Sequence, residues 1–170
     1  SRLKLAGFGR YKDAMLIRIL SLCLLLGGLL HMPLSAQTRE TPYWATIKTD
    51  ELNMRVGPSR EFPIDWVYKR KGLPIKVIRV TDGWRLIEDM DGTQGWVSQS
   101  LLSPRRSALV VGEGLLAMRD APASNAKLKW NLQAGVVGYL GNCEAGWCEM
   151  DVRGHTGWVD QSRLWGAGAP

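Results

Sequence analysis

Residue types that commonly carry out catalysis are scarce in this chain. Its 170 residues include two histidines and three cysteines. Cys23 lies in an apolar N-terminal run, so His155, Cys143 and Cys148 are the candidates in the rest of the chain. No Ser/His/Asp set can be assembled around His155, and no pair of carboxylates stands out for acid–base catalysis. These shortages argue against an enzyme, and a stand-alone hydrolase is the weakest hypothesis.

The two later cysteines form a pair. Cys143 and Cys148 flank the turn Glu144-Ala145-Gly146-Trp147. Residues that face each other across a hairpin can meet disulfide distances, and an oxidising compartment favours the bond. A metal site is the alternative, but the spacing is not that of a zinc knuckle, and His155 is the only further soft ligand. We predict a disulfide between Cys143 and Cys148, and we predict neither a metal site nor a cofactor.

The chain also lacks a strong basic field and a phosphate-binding glycine motif. Its formal charge of +6 is partly due to residues 1–36, which hold five of the 22 basic residues and one of the 16 acidic ones. The remainder carries a formal charge of +2. The one basic run, Lys69-Arg70-Lys71, is nearly cancelled by acidic residues elsewhere in its half of the chain. We interpret that run as solvated and expect no nucleic-acid partner.

Long apolar runs are absent apart from one near the N-terminus. Ile19–Leu30 is a run of twelve residues that is apolar except for Ser21, whereas a membrane-spanning helix needs about 20. Arg18 precedes this run, and Pro33 and Ser35-Ala36 follow it, as in a secretory signal. We predict a signal helix in residues 1–36 and export to the periplasm or the medium. An uncleaved membrane anchor is the alternative, and a start at Met15 would make residues 1–14 a start-site artefact.

An internal repeat is the strongest pattern that the chain does contain. Four landmarks recur in the same order: Leu52–Ser59 as Leu116–Ala123, Trp66 as Trp130, Gly83-Trp84 as Gly146-Trp147, and Gly95-Trp96-Val97 as Gly157-Trp158-Val159. Such a repeat argues for two small domains of one kind. We place these domains at 42–102 and 108–165, with a linker at 103–107.

Each copy is typical of a β-barrel. No segment after residue 37 has a sustained helical period, and β-rich segments alternate with turn signals. Asp91-Gly92 is a strong signal for a tight hairpin. The strands predicted for the first copy lie at 43–47, 52–55, 66–68, 75–80, 84–88 and 94–98.

These motifs resemble the bacterial Src-homology-3-like (SH3b) domain. The resemblance rests on Leu52–Ser59, the two Gly-Trp pairs of the first copy and the closing Leu101. It implies an all-β fold of two tandem, small, five-stranded barrels, each with a long first loop, after the signal helix. It also implies an extracytoplasmic setting and a role in binding, since family members often target cell-wall hydrolases to peptidoglycan and others bind proteins. Asp120-Ala121 replaces Val56-Gly57 in the second copy, so its first loop is expected to differ in shape.

Aromatic side chains are the best candidates for ligand binding, because they combine apolar area with a polar edge and stack on sugar rings. Trp96 and Trp158 are assigned to packing, and the repeat-matched Arg55 and Arg119 to structural ion pairs. The candidate binding residues are Trp66, Tyr68, Trp84, Trp130 and Trp147.

Two functions follow from these observations. The first is an exported, non-catalytic binding module of the cell envelope that recognises peptidoglycan or an envelope protein. The second is a protein-binding scaffold or regulatory subunit without contact to the wall. In both cases the membrane is a partner only through an uncleaved signal segment.

Overall fold

Two antiparallel β-sheets, one from each repeat, make up the described part of the chain. The computed structural model describes residues 39–170, so the predicted signal helix in 1–36 lies outside the described residues. The predicted all-β fold with two tandem barrels is confirmed. Among residues 39–170 there is no helix of the length and apolarity that crossing a membrane requires.

The first sheet contains seven strands. They are β1 Tyr43–Ile47, β2 Leu52–Arg55, β3 Ile64–Tyr68, β4 Pro74–Thr81, β5 Trp84–Glu88, β6 Gln94–Ser98 and β7 Leu102–Ser103. Their order across the sheet is β3-β2-β6-β5-β4-β1-β7. The count exceeds the expected five, partly because the two-residue β7, which follows a 3₁₀ turn at Gln99–Leu101, pairs with β1. The strand β3 therefore lies at one edge of the sheet.

The second sheet has the same plan. Its strands are β8 Ser107–Val110, β9 Leu116–Arg119, β10 Leu128–Leu132, β11 Val137–Glu144, β12 Trp147–Val152, β13 His155–Asp160 and β14 Leu164–Trp165. Their order is β10-β9-β13-β12-β11-β8-β14, so β10 takes the edge position that β3 holds in the first sheet. The repeat in the sequence thus corresponds to a repeat of the whole topology.

A methionine and a glycine explain why two of the repeated motifs occur together. Met54 on β2 is fully buried, and a Cβ added to Gly95 on β6 would overlap its side chain. In the second barrel the buried Met118 lies against Gly157 in the same way. Protein interiors are close-packed, so the methionine leaves no space for a side chain at the neighbouring position on β6 or β13. That position is therefore occupied by glycine in both barrels.

Equivalent arginine hydrogen bonds hold the first loops of the two barrels. The guanidinium of Arg55 donates to the carbonyl of Phe62 at 2.6 Å, and that of Arg119 donates to the carbonyl of Ala126 at 2.7 Å. The expectation of a differently shaped second loop is therefore wrong, because the matched arginine holds both loops despite the change to Asp120-Ala121. The assignment of these arginines to ion pairs is also wrong, since within 39–170 neither has a carboxylate partner.

The predicted disulfide is present. Cys143 on β11 and Cys148 on β12 lie directly opposite each other, with their Cα atoms 4.0 Å apart, and their sulfur atoms are bonded. Cys148 is buried in the core of the second barrel, whereas Cys143 is exposed at the hairpin. The bond therefore fastens an exposed hairpin to the core.

Candidate binding cleft between the barrels

The two tryptophans that the repeat leaves unmatched pack against each other. Trp44 on β1 and Trp165 on β14 have ring centroids 5.0 Å apart and an interplanar angle of 82°. The indole N–H of Trp44 also donates to the carbonyl of Gly168 at 3.2 Å. Edge-to-face pairs of this kind add to the free energy gained by burial alone. The unmatched aromatics thus join the first barrel to the end of the second.

A buried polar contact joins the barrels at a second point. The hydroxyls of Thr46 on β1 and Ser107 on β8 are 2.7 Å apart, and that of Thr46 also donates to the carbonyl of Arg105 at 2.5 Å. Both side chains are about 1% exposed. Residues 39–170 accordingly form one compact unit.

An open cleft of about 360 Å³ lies beside this junction. Both barrels line it, the first more extensively than the second. The side chains that define it, here called the aromatic cleft, are Trp66, Tyr68, Asp89, Met90, Leu109 and Trp165. Trp66 is 58% exposed and Met90 46% exposed, so much apolar surface on this side remains in contact with water.

Tyr68 and Asp89 form a fixed polar group in the aromatic cleft. The phenol of Tyr68 donates to Oδ2 of Asp89 at 2.8 Å. Oδ1 of Asp89 accepts from the backbone N–H groups of Asp91 and Thr93, which holds the hairpin between β5 and β6. Burial raises the pKa of Tyr68 well above its ordinary range, and the hydrogen bond to Asp89 raises it further. The phenol therefore stays protonated, with its one proton donated to Asp89.

We expect Tyr68→Phe to lower the free energy of unfolding by about 1 kcal/mol at neutral pH, because it removes the hydrogen bond to Asp89. The folded state keeps the phenolic proton at a pH at which the unfolded chain, with a pKa near 10.0, loses it. The stability that the phenol contributes is therefore fully present below pH 10 and declines as the pH rises further.

Urea unfolding of both proteins between neutral pH and about pH 11 measures this dependence. The stability difference between wild type and Tyr68→Phe should narrow above pH 10. A difference that stays constant over this range would contradict the proposed environment of Tyr68.

The structure brings together two of the five candidate binding residues. Trp66 and Tyr68 both line the aromatic cleft. Trp84 and Trp147 are half-buried at the starts of β5 and β12, outside that cleft. Trp130 is 47% exposed on β10, and its ring lies 4.4 Å from that of His155. Within residues 39–170 no cluster of three or more His, Cys, Asp or Glu side chains is placed to hold a metal ion.

Sequence reasoning missed the residues that complete the cleft from the second barrel. Leu109 and Trp165 were not predicted, because four of the five candidate binding residues are tryptophans that recur in both copies. A usable signal was present, since Trp44 and Trp165 are the only tryptophans of the eight without a counterpart in the other copy. An aromatic residue added to one copy has a role that the shared fold does not explain.

Comparison with known proteins agrees with this architecture. The family model for the bacterial SH3 domain matches the chain twice, at residues 48–104 and 112–166. The chain therefore belongs to the bacterial SH3 domain family.

A curated relative and two solved structures are also similar to the chain. "Putative N-acetylmuramoyl-L-alanine amidase YrvJ" of Bacillus subtilis (strain 168) is 25% identical over 135 residues, which are 74% of this chain and 26% of the relative. The chain thus spans about a quarter of that protein's length. NlpC2 of Trichomonas vaginalis matches with a TM-score of 0.34 and 11% identity, over 75% of this chain and 49% of that one. NlpC1 of the same organism matches with a TM-score of 0.33 and 14% identity, over 81% and 50%.

Proposed function

We propose that the chain is an exported, non-catalytic binding module of the cell envelope, and that it binds peptidoglycan in the aromatic cleft. The observation that carries the proposal is that both barrels line one cleft of about 360 Å³, which contains the widely exposed Trp66. Concave sites with aromatic walls and a few placed polar groups are the usual form of a ligand site.

The chemistry of the cleft suits a ligand that has both sugar and peptide groups. The face of Trp66 offers an apolar platform on which a sugar ring can stack. Asp89 and Asp91 add carboxylate oxygens, which accept hydrogen bonds from hydroxyl, amide or ammonium groups. Hydrogen bonds with Tyr68, Asp91 and Thr93 already fix the orientation of the Asp89 carboxylate. Ligand binding therefore costs little conformational entropy at this side chain.

The similarity to the Bacillus subtilis protein supports the same assignment. The name of that protein refers to N-acetylmuramoyl-L-alanine, which is a unit of peptidoglycan. This chain matches only 26% of that protein, so the similarity supports a shared module and not a shared amidase activity.

The residues of the two barrels give little support to catalysis. Both cysteines of the described part are bonded to each other, which removes the thiol that a cysteine nucleophile requires. His155 lies beside the ring of Trp130. The module that we propose is therefore non-catalytic.

A protein-binding scaffold is the second candidate, and the edge strands favour it. Strand β3 exposes Ile64 and Trp66, and strand β10 exposes Leu128 and Trp130. Both strands lie at an edge of their sheet. An exposed edge with apolar side chains is able to accept an added strand from a partner protein.

Co-sedimentation with protein-free peptidoglycan sacculi tests the first candidate. We expect the purified chain to be retained, and we expect Trp66→Ala to weaken retention by at least about tenfold, because aromatic anchors dominate binding free energies. Trp130→Ala is the matched control, since it removes the same side chain from the matched edge strand of the other barrel, outside the cleft.

Each result of this experiment has a definite meaning. Equal retention of wild type and Trp66→Ala would exclude the aromatic cleft as the wall-binding site. No retention of the wild type at low or moderate salt would favour the scaffold, and binding to the wall would be abandoned. Muropeptides released into the supernatant would contradict the non-catalytic assignment.

A further inference from the structure

Basic residues that are far apart in the sequence meet at a second cleft. Arg70 and Lys71 come from the turn between β3 and β4, Arg105 from the segment between the two barrels, and Arg153 from the turn between β12 and β13. All four line an open cleft of about 420 Å³, here called the basic cleft. It shares no lining residue with the aromatic cleft.

The charges in the basic cleft are mostly uncompensated. Asp151 is the one carboxylate that lines it, and its Oδ1 accepts from the backbone N–H of Gly154 at 2.7 Å. Within residues 39–170 the structure contains one ion pair, between Lys76 and Glu88. The four basic side chains therefore have no carboxylate partner in that part of the chain. None of the acidic residues that balance the basic run in the sequence lines the basic cleft.

Part of the site is held in place before any ligand binds. The guanidinium of Arg105 lies 3.6 Å from the centre of the Tyr139 ring, in a cation–π contact. Its backbone carbonyl accepts from the buried hydroxyl of Thr46. The stacking therefore orients the guanidinium, so less conformational entropy is lost when an anion binds.

From this arrangement we infer that the basic cleft binds a phosphate group. Four cations against one carboxylate leave a formal excess of three positive charges, more than a single carboxylate ligand neutralises. Phosphate offers more charge and more acceptor oxygens, and the planar fork of arginine matches its geometry. The cleft has room for a group larger than one phosphate, so a diphosphate or a phosphodiester fits the same charges.

Isothermal titration calorimetry with two soluble probes tests the inference and separates two sources of phosphate. Inorganic pyrophosphate represents a free phosphate, and glycerophosphoglycerol represents the phosphodiester of a polymer or a lipid headgroup. We expect saturable binding of at least one probe, stronger at low salt because salt screens charges. The probe that binds more tightly identifies the source.

A pair of matched double variants makes the test specific. Arg70→Gln combined with Arg153→Asn should weaken binding by at least about tenfold, since each removes a charge-assisted contact. Asparagine is chosen because Arg153 has a φ of 54°, which asparagine tolerates. Arg60→Gln combined with Lys127→Asn removes two exposed charges outside the cleft and should leave binding unchanged. Near-ultraviolet circular dichroism verifies that each variant is folded.

Two results would overturn the inference. One is the absence of saturable binding of either probe at low salt. The other is an equal loss of binding in both double variants, which would indicate a response to net charge alone. Trp66→Ala should bind the probe as tightly as the wild type does. The phosphate site and the proposed wall-binding site can therefore be refuted independently of each other.

Discussion

Gly157→Ala should lower the free energy of unfolding by about 3 kcal/mol, near the upper end of the usual cost of overpacking. A Cβ at this position would lie 2.5 Å from Cγ of Met118 and 2.7 Å from the backbone oxygen of Arg119. Met118 is fully buried, and the oxygen belongs to β9, which pairs with β13. The methyl group therefore meets backbone that cannot move without disturbing the sheet. Urea unfolding followed by tryptophan fluorescence measures the change.

Gly95→Ala is the matched variant in the first barrel and should lower the free energy of unfolding by less than Gly157→Ala does. There the three atoms nearest to the added Cβ all belong to the side chain of Met54, which can change rotamer. Neither glycine has a positive φ, so backbone strain does not enter the comparison. Double-mutant cycles test this difference. In a Met54→Ala background, Gly95→Ala should lower the free energy of unfolding only slightly. In a Met118→Ala background, Gly157→Ala should still lower it substantially. Equal costs of the two alanine substitutions would contradict the role assigned to the oxygen of Arg119.

Trp165→Ala should lower the free energy of unfolding by about 2–3 kcal/mol, somewhat below the range for a fully buried tryptophan, because Trp165 is half-buried. The substitution removes the ring that packs against Trp44 across the junction. We also expect thermal unfolding to change from one transition to two, because the barrels lose one of their joining contacts. Differential scanning calorimetry measures both effects.

Two control variants separate the junction from general effects of losing a tryptophan. Trp165→Phe keeps a ring against Trp44, and the indole N–H that it removes is buried without an acceptor among residues 39–170. It should therefore retain most of the stability. Trp130→Ala removes a side chain that is 47% exposed on an edge strand and should cost much less than Trp165→Ala. If Trp165→Ala and Trp130→Ala were equally destabilising, the junction would not depend on Trp165.

Repetition in the sequence made the architecture predictable. Leu52 and Met54 alternate with two polar residues along β2, and Leu116 and Met118 alternate with Ala117 and Arg119 along β9. In both strands the Leu and Met positions are buried and the other two are half-buried. The cysteine pair was equally local, because Cys143 and Cys148 face each other across one hairpin. Patterns of this kind involve residues that are near in sequence, so they can be predicted from the sequence directly.

The first loop of the second barrel shows how substitutions at two positions can mislead a prediction of loop shape. The change from Val56-Gly57 to Asp120-Ala121 suggested a new conformation, but the backbone of Asp120 bonds to that of Lys127 as Val56 bonds to Pro63. The conserved geometry comes from Arg55 and Arg119, whose guanidinium groups bond to loop carbonyls. Backbone acceptors leave no trace in a sequence, and for that reason an ion pair was expected instead.

The sequence by itself determined the two barrels, their strands and the disulfide, because periodic burial and hairpin pairing are short-range properties of a chain. Only the tertiary structure decided where the barrels meet and which residues share a cleft. Trp66 and Trp165 are 99 positions apart in the chain, and Arg70 and Arg153 are 83 positions apart. Their proximity results from packing between two barrels, which depends on the contacts of Trp44 with Trp165 and of Thr46 with Ser107. No local sequence pattern encodes these contacts, because the strand pattern that folds each barrel is the same whichever face of it packs against the other barrel.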